Sequence, residues 1–536
     1  MASPAPVDRA VPSTDLSPRL WAFLSALVLA VLLGSWLRVW RIDEQIIMED
    51  EWHGLLIMRD RSWGFLASHF GLNDHCIPLT LWHKFLDSTL GIDELLLRLV
   101  PLVSGVLLLV LLPLYVRPAL GSLTAALFAA LLAGAPLLTF FSRYARPYAP
   151  ALLSTWTAVL ALDAWHRHRR GHAGFVFVVS AAFTVWLMPA FAPFLLAAWA
   201  CGPWSAKWAG LGVAAGAMGA LLLGPALLCD LASLRAKAGG TTVGVFALDG
   251  ALALFAGVAP RTLAGALAII ALAGYRIGHR RAPQLVGMLA VASLVQVLTI
   301  FFSEPIGANG PMIFARYALP ALPFFLLVVA HAFARSILRT NGRRRTLHSV
   351  FVALCLITCA AFGPWQAAYW MPNQWTGHSA YQADYDTDRD RLEAALVPSR
   401  VSEAYRALAS LPPCSTIIVE TPFPQSFEAN PYTVLQHHHK QRVIAGLAAD
   451  LVPGTLPGLP RSGDRRFPRW SVSLTDIAAL KRAGASYVFV HKDLPREFPR
   501  LQFQLSTEAR PLLVHLTQAL GRPHFEDDLL AVWDLR

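Results

Sequence analysis

Long apolar segments recur along the chain, and they constrain its fold more than any other feature. A helix of about 20 apolar residues crosses the hydrocarbon core of a bilayer. Only 15% of the 536 residues are charged, compared with about 25% in soluble domains. The sequence therefore predicts an α-helical polytopic membrane protein with about eleven spans. The candidate spans are residues 20–39, 95–116, 119–141, 149–165, 174–187, 190–204, 208–229, 251–275, 285–302, 317–337 and 347–369.

Basic residues lie mainly in short loops between the apolar segments. Three loops are strongly basic: residues 166–172 (HRHRRGH), 275–281 (YRIGHRR) and 335–345 (RSILRTNGRRR). This pattern is typical of cytoplasmic loops, which carry an excess of lysine and arginine. The formal net charge of +11 is therefore explained by membrane orientation, and no nucleic-acid partner is predicted.

The basic loops also restrict how the apolar segments are divided. An even number of spans must separate the first two basic loops if both face the cytoplasm. Either the stretch at 174–201 forms two spans, interrupted at Pro189 and Pro193, or the stretch at 246–275 is divided at residues 259–261. The sequence leaves both divisions open. Both place the N-terminus in the cytoplasm and everything after about Trp370 outside the inner (plasma) membrane.

The chain is expected to have three parts. Residues 1–18 are polar and proline-rich, which predicts a disordered cytoplasmic N-terminus. Residues 19–372 form the membrane domain, whose first extracytoplasmic loop covers residues 41–94. Residues 373–536, here called the tail, are expected to form an extracytoplasmic α/β domain.

Short elements in the tail support the α/β prediction. Residues 415–420 (STIIVE) and 485–492 (ASYVFVHK) are typical of buried strands. Between them, residues 474–484 (LTDIAALKRAG) predict an amphipathic helix that ends at a glycine.

Carboxylates follow the first apolar segment at once, in residues 48–54 (MEDEWHG). This motif contains Asp50, Glu51 and His53. The surrounding loop is amphipathic, and helices on the membrane surface would place these groups at the lipid–water boundary. Charged groups at such a depth are costly unless they have a function.

Two arginine-bearing segments are predicted on the same membrane face. Residues 142–149 (SRYARPYA) follow the third apolar segment and include Arg143 and Arg146. Residues 301–320 include Glu304 and Arg316. Carboxylates and arginines together suit the displacement of a lipid-linked phosphate from a sugar carbon. One carboxylate can act as general base, and the arginines can stabilise the phosphate as it leaves.

Two other classes of protein remain open at this point. A transporter or flippase of lipid-linked saccharides would use the same face, but transporters usually carry ionisable residues within their spans. Here the predicted spans contain almost none, with Asp163 as an exception. A scaffold whose tail binds cell-wall glycan would need neither Asp50 nor Arg146.

Several motifs resemble the GT-C superfamily of polyprenyl-phosphate-sugar-dependent glycosyltransferases. The likeness is to the bacterial branch similar to protein O-mannosyltransferases and the lipid A aminoarabinose transferase. It covers most of residues 20–324 and, more loosely, two segments of the tail, residues 483–494 (AGASYVFVHKDL) and a closing strand at 529–535 (LLAVWDL). The matching positions are Arg38 and Asp50–Glu51, then His75, Pro78, Leu79 and Gly91, then Arg146, Tyr148 and Ala149, and residues 315–324 (ARYALPALPF).

The resemblance implies an inverting glycosyltransferase with its site at the extracytoplasmic face. Its donor would be a polyprenyl-phosphate-linked sugar, and its acceptor a hydroxyl of a lipid, glycan or protein beside the lipid bilayer. It leaves open whether a divalent metal is used, with Asp50 and Glu51 as the ligands if one binds. The implied roles are Asp50 as general base supported by Glu51, Arg146, Arg143, Tyr148 and Arg316 at the donor phosphate, and His53, His75 and Glu304 as acceptor or support.

Overall fold

The structure is a computed structural model of the full chain, and most of its membrane part is described. The described residues are 18–39, 42, 51, 58, 61–70, 76–90, 94–169, 171–236, 242–257, 261–305, 307–362, 400–412, 415–422, 432, 435, 439, 441–444, 477–482, 484–498 and 509–536.

Helices make up nearly all of the described chain before residue 363. They are α1 (Pro18–Val39), α2 (Trp63–Ser68), α3 (Ile77–Thr89), α4 (Glu94–Leu120), α5 (Ser122–Gly134), α6 (Pro136–Ser142), α7 (Tyr148–His168), α8 (Gly171–Leu187), α9 (Ala192–Ala200), α10 (Ala206–Arg235), α11 (Val245–Ala256), α12 (Arg261–Arg281), α13 (Pro283–Ser303), α14 (Pro311–Tyr317), α15 (Leu322–Leu338) and α16 (Gly342–Phe362).

Several of these helices are long and apolar enough to cross a membrane. Five helical segments of the described chain qualify alone, and the bent pair α5–α6 qualifies as a sixth. This agrees with a multi-pass membrane protein, while the count of about eleven spans stays a prediction. The five are Leu20–Val39, Leu95–Leu120, Ala206–Arg235, Pro283–Ser303 and Leu319–Leu338.

Both stretches that the sequence left open are broken. A short 3₁₀ turn, Pro189–Phe191, separates α8 from α9, and α11 ends at Gly257, whose φ of 68° is left-handed. Breaks expose backbone groups, which must find partners in an apolar bundle. At the break between α8 and α9, the side chain of Gln296 in α13 provides these partners. It donates to the Ala190 and Tyr317 carbonyls and accepts from the Phe194 amide.

At the bend of 58° between α5 and α6, a side chain again binds backbone carbonyls that the bend exposes. Pro136 has no N–H to donate to the Leu132 carbonyl four residues earlier. The buried Arg38 guanidinium at the end of α1 donates there instead, at 3.4 Å, and to the Ala133 carbonyl at 3.3 Å. It also bonds to Ser142 Oγ. Arg38 therefore holds three helices together where they approach the candidate site.

The three segments predicted as basic loops lie at helix ends on the same end of the bundle. Residues 166–168 end α7, residues 275–281 are the last turns of α12, and residues 335–338 end α15. Tyr115 near the end of α4 donates to Asp163 near the end of α7, at 2.6 Å. Helices α12 and α15 pack closely at Gly274, where a Cβ atom would lie 1.9 Å from the Val328 carbonyl oxygen. This contact sets the position of α12 beside α15. Thr124 at the start of α5 bonds to His331 of α15. This arrangement agrees with the prediction that the loops share one membrane side.

The tail contains the predicted sheet. Its described elements are α17 (Glu403–Ala409), β1 (Ile417–Thr421), β2 (Arg442–Ile444), α18 (Ile477–Arg482), β3 (Tyr487–His491), α19 (Leu494–Glu497), α20 (Ala509–Leu520), β4 (Phe525–Glu526) and β5 (Leu530–Asp534). The strand order is β2-β1-β3-β5-β4, with β1 parallel to β2 and β3, and β5 antiparallel to β3 and β4. The three predicted strands and the glycine-ended helix are confirmed, with Gly484 at a φ of 82°.

Alternation along the strands gives this sheet two different faces. Val419, Val488 and Trp533 belong to one buried apolar cluster, which also contains Leu97 and Ala145 from the helical part of the chain. Ile418 and Phe489 belong to another cluster on the opposite face, under α17. The first face therefore packs towards the helical bundle, at the end where the candidate site lies.

Candidate functional site

Glu51 is the centre of the site. Its carboxylate is fully buried and forms a bidentate ion pair with Arg98 in the first turns of α4. Arg98 Nε lies 3.1 Å from Oε1 and Nη2 lies 3.0 Å from Oε2. The backbone N–H of Ala145 also donates to Oε1, at 2.6 Å. These three residues, here called the Glu51 junction, connect the first predicted outer loop, the start of α4 and the turn before α7.

The turn between α6 and α7 carries the predicted phosphate-binding arginines on both sides of Ala145. Arg143 and Arg146 are both buried, and Arg143 Nη1 donates to the Leu37 carbonyl at the end of α1. Pro147 precedes α7 and stops the turn from continuing as helix towards Arg143. The junction therefore joins a carboxylate from the acidic motif to the turn that carries these two buried arginines.

Tyr148 and Arg316 lie together on the other side of this turn. The Arg316 guanidinium carbon is 5.9 Å from the Tyr148 ring centroid and 5.4 Å from that of Tyr317. Cations at such distances are attracted to the negative ring faces. Trp156 of α7 donates to the Pro320 carbonyl and so fixes the two segments relative to each other. Residues predicted from separate motifs are thus brought into one region.

Helix α3 covers the junction from the predicted outer loop. His83 is buried, and its Nε2 lies 3.0 Å from the Leu97 carbonyl next to Arg98. Burial, with a smaller contribution from the nearby Arg146 guanidinium, lowers the pKa of His83 to about 4, against the raising effect of the Leu97 carbonyl. A neutral imidazole therefore donates to that carbonyl at neutral pH. Lys84 donates to the Met58 carbonyl at 2.6 Å, which attaches the loop to the same helix.

Some predicted site residues are not brought together by the described structure. Asp50, His53 and His75 lie outside the described residues. Glu304 is described, at the end of α13 with a left-handed φ of 43°. Within the described chain, no hydrogen bond or ion pair joins the Glu304 side chain to the arginines, and its role stays a prediction.

The described residues also bear on metal binding. No group of three or more histidine, cysteine, aspartate or glutamate side chains among them could hold a metal ion. Glu51 directs both carboxylate oxygens at Arg98 and the Ala145 amide. A metal that uses Asp50 would therefore need ligands from outside this described set.

Arg98 and His83 belong to the site, but the sequence analysis did not identify them. Arg98 had a signal, because it is a lone arginine near the start of an otherwise apolar helix. Such a charge usually has a specific partner. His83 had none, since a single histidine in an amphipathic helix more often serves packing.

A second group of buried ionisable side chains lies in the tail, at the carboxyl ends of β1 and β3. The Tyr405 hydroxyl donates to Glu420 Oε1 at 2.9 Å, and His491 Nε2 lies 2.9 Å from that hydroxyl. His491 Nδ1 donates to Glu497 at 2.9 Å, and His439 Nε2 lies 3.9 Å from Glu420. This set is here called the tail cluster.

The protonation of the tail cluster follows from its burial. Burial raises the pKa of Glu420 to about 8, despite opposing effects of His491 and the Tyr405 hydroxyl. Burial alone would lower the pKa of His491, but the Glu497 carboxylate outweighs it and raises that pKa above its usual value. At neutral pH, Glu420 is therefore mainly an uncharged acid, and His491 pairs as a cation with Glu497.

Comparison with known proteins shows likeness in fold. No protein-family model and no curated protein sequence matches the chain. The crystal structure of ArnT from Cupriavidus metallidurans bound to undecaprenyl phosphate has a TM-score of 0.54 and 11% identity, and covers 96% of this chain and 98% of its own. Its apo form has a TM-score of 0.53 over the same shares, again at 11% identity.

A weaker likeness is to the oligosaccharyltransferase of Archaeoglobus fulgidus, with a TM-score of 0.44 and 13% identity over 91% of this chain and 74% of that one. The ArnT likeness extends over nearly the whole of both chains, so it includes the tail as well as the helices. The protein therefore has the GT-C fold, as the sequence resemblance predicts.

Proposed function

We propose that the protein is a membrane glycosyltransferase that moves a sugar from a polyprenyl-phosphate donor to a hydroxyl of a lipid, glycan or protein. The observation that carries this proposal is the hydrogen bond between Glu51 and the Ala145 amide. It joins the acidic motif to the turn that holds Arg143 and Arg146. Undecaprenyl phosphate bound to the similarly folded ArnT supports the donor class.

In this proposal Asp50 is the general base. It takes the proton of the acceptor hydroxyl while that oxygen attacks the sugar carbon attached to the donor phosphate. The bond between that carbon and the phosphate oxygen breaks on the opposite face, so the configuration inverts. The electron pair leaves with the polyprenyl phosphate.

The leaving phosphate is stabilised by cations. Arg146 and Arg143 lie beside the junction, and Arg316 lies over Tyr148, so the phosphate oxygens would meet guanidinium groups from two segments. Arginine suits this task because its planar fork donates two parallel hydrogen bonds to a phosphate. Tyr148 can add a hydroxyl donor. His53, His75 and Glu304 are assigned to the acceptor side or to support.

The expected membrane arrangement belongs to the same proposal. The site lies at the extracytoplasmic face of the inner membrane, the N-terminus lies in the cytoplasm, and residues 373–536 lie outside. The three basic loops follow helix ends at the opposite end of the bundle from the Glu51 junction, which supports this orientation.

The direct test uses Asp50→Asn in detergent-purified protein given a labelled polyprenyl-phosphate sugar and a mixture of lipid, glycan and peptide acceptors. Loss of a general base lowers the rate by about 10²–10⁴-fold. The matched control is Glu403→Gln, which removes a carboxylate from an exposed tail ion pair. Wild-type transfer rates in Asp50→Asn would exclude Asp50 as the base.

The same assay separates the transferase from a transporter or flippase. Detergent removes the two membrane sides, so transport cannot be scored, whereas covalent attachment of the label to an acceptor still can. Wild-type protein that attaches no label from any lipid-linked sugar, yet moves such a lipid across vesicles, would contradict the proposed transferase.

A further inference from the structure

We propose that Glu51 is a positioning residue, which sets the spacing between the base and the phosphate-binding arginines through its bonds to Arg98 and the Ala145 amide. This inference rests on the proposed function. It assigns to the second carboxylate of the acidic pair a task other than proton transfer or metal binding.

The first argument is the direction of the Glu51 oxygens. Oε1 accepts from Arg98 Nε and from the Ala145 amide, and Oε2 accepts from Arg98 Nη2. The side chains of both ion-pair partners have no exposed surface. A group that transfers protons or binds a metal must direct a lone pair at the reacting molecule. The Glu51 lone pairs are directed at two fixed donors of the protein instead.

The second argument is the position of the bonded groups in the sequence. Asp50 directly precedes Glu51, and Arg146 directly follows Ala145. The 2.6 Å bond between Glu51 and the Ala145 amide therefore joins the residue next to the proposed base to the residue next to the proposed phosphate ligand. Displacement of a reacting group by about 1 Å can cost about 100-fold in rate.

The third argument is that both partners of Glu51 belong to segments that are themselves held. Leu97, next to Arg98, accepts from His83 and belongs with Ala145 to the apolar cluster under the tail sheet. Arg143, two residues before Ala145, is bonded to the end of α1. Glu51 thus joins the acidic motif to parts of the chain that are fixed from several sides.

The experiment compares three variants of the full-length protein: Glu51→Ala, Glu51→Gln and the double variant Glu51→Gln/Arg98→Gln. Glu51→Ala removes every bond of the junction, and Glu51→Gln leaves Arg98 without its countercharge. The double variant removes both charges but keeps an amide oxygen for the Ala145 N–H. A positioning role needs the bonds, whereas proton transfer or metal binding needs the carboxylate.

We expect Glu51→Ala to lower kcat by about 100-fold, with the donor KM changed by less than about threefold. The double variant should recover at least about tenfold of this loss, and the dependence of its rate on divalent metal concentration should match that of the wild type. A double variant as inactive as Glu51→Ala, or one that needs more metal, would overturn the inference. So would a rise in donor KM at unchanged kcat.

Hydrogen exchange of the peptide that contains Ala145 gives a readout independent of activity. We expect faster exchange at Ala145 in Glu51→Ala and slow exchange in the double variant, as in the wild type. Wild-type exchange in Glu51→Ala would contradict the inference even if transfer is lost. If the wild type transfers no sugar, the proposed function fails, while this measurement still tests the junction.

If Glu51→Ala does not fold, Arg98→Lys takes its place. This variant keeps the charge but loses the bidentate geometry, and it should show the same kcat loss.

Discussion

Two buried carboxylates, Glu51 and Glu420, have bonding partners of opposite kinds. Glu51 pairs with an arginine, which stays charged at every accessible pH, and the pair is locked by a backbone amide. Glu420 has no arginine or lysine among its described partners, which are a tyrosine hydroxyl and two histidines. The first carboxylate is fixed in position by its bonds, and the second is placed to hold a proton.

The difference shows how partner choice decides what a buried acid can do. A bidentate arginine specifies direction and distance, which suits a site that must position reacting groups. Tyrosine and histidine partners can both donate and accept, so the tail cluster can exchange protons without rearranging its backbone. The two regions are connected through one apolar cluster, which contains side chains from the other face of the Glu420 sheet, from α18 and α20, and from Ala145 and Leu97.

The largest effect is expected from breaking the arginine pair. Arg98→Met should lower the free energy of unfolding by about 3–5 kcal/mol, because it removes one partner of a fully buried, bidentate ion pair. Thermal and denaturant unfolding of the detergent-purified protein measures this. A loss below about 1 kcal/mol would mean that Glu51 reaches water or another cation, and that the contrast with Glu420 is weaker than described.

A smaller effect is expected from removing one hydroxyl in the tail cluster. Tyr405→Phe takes a hydrogen bond from Glu420 and from His491, and leaves buried polar atoms unsatisfied. Such losses cost about 1–3 kcal/mol. Protection of the β1 and β3 amides against hydrogen exchange should fall accordingly. Tyr487→Phe, at the first residue of β3, serves as the control. Equal protection in both variants would contradict the role of Tyr405.

The pH dependence of tail stability tests whether Glu420 differs from Glu51 by holding a proton. Glu420 has a folded-state pKa of about 8, against about 4.5 when unfolded, so the folded tail holds a proton that the unfolded chain releases. Stability of the tail should therefore fall as pH rises from about 4.5 to 8, by about 1.4 kcal/mol per pH unit for this group. The raised pKa of His491 acts in the same direction above pH 6.5.

Hydrogen exchange of β1 and β3, corrected for the intrinsic rate at each pH, measures this slope. Glu420→Gln, which imitates the protonated acid, should remove the contribution of Glu420 between pH 5 and 7.5. The lowered pKa values of Asp527 and Asp534 affect stability only in more acidic solution and leave this window unchanged. A slope of the same size in Glu420→Gln and in the wild type would show that Glu420 does not hold the proton.

The smallest effect is expected from an exposed ion pair of the tail. Arg400 bonds to Asp528 at 2.7 Å, with 67% and 46% of the side chains exposed. Arg400→Met should change the free energy of unfolding by less than about 1 kcal/mol, because exposed pairs are screened by solvent. Measured beside Arg98→Met, it separates the effect of burial from that of removing an arginine. Equal losses in the two variants would contradict the special status of the buried pair.

Much of the fold could be predicted from local patterns. Apolar segments predicted the helical bundle, and local patterns predicted β1 and β3 within a few residues. The prolines at 189 and 193 marked the break at Pro189–Phe191, and residues 259–261 marked the division between α11 and α12. These features depend on the properties of neighbouring residues, which a single sequence displays. The similarity in fold to ArnT agrees with the motif resemblance.

The contacts that define the site could not be predicted in the same way. The partner of Glu51 is 47 residues away in the chain, and the amide that it binds is 94 residues away. Nothing in a single sequence pairs such positions. Arg38 illustrates the limit, because the motif resemblance marked it near the site, whereas its guanidinium compensates the missing N–H of Pro136. The sequence displays the guanidinium group of Arg38, but the carbonyl that it binds is exposed only by the bend at Pro136.

The apolar cluster that contains both Ala145 and side chains of the tail sheet has an evolutionary consequence. A larger side chain at position 145 would have to be accommodated within the apolar layer that also holds Val419, Val488 and Trp533. Substitutions on the two sides of this layer should therefore be compensated by each other among relatives, and a tail exchanged alone between distant relatives should give a poorly active chimaera. Tails and bundles with this arrangement are expected to be inherited as matched halves.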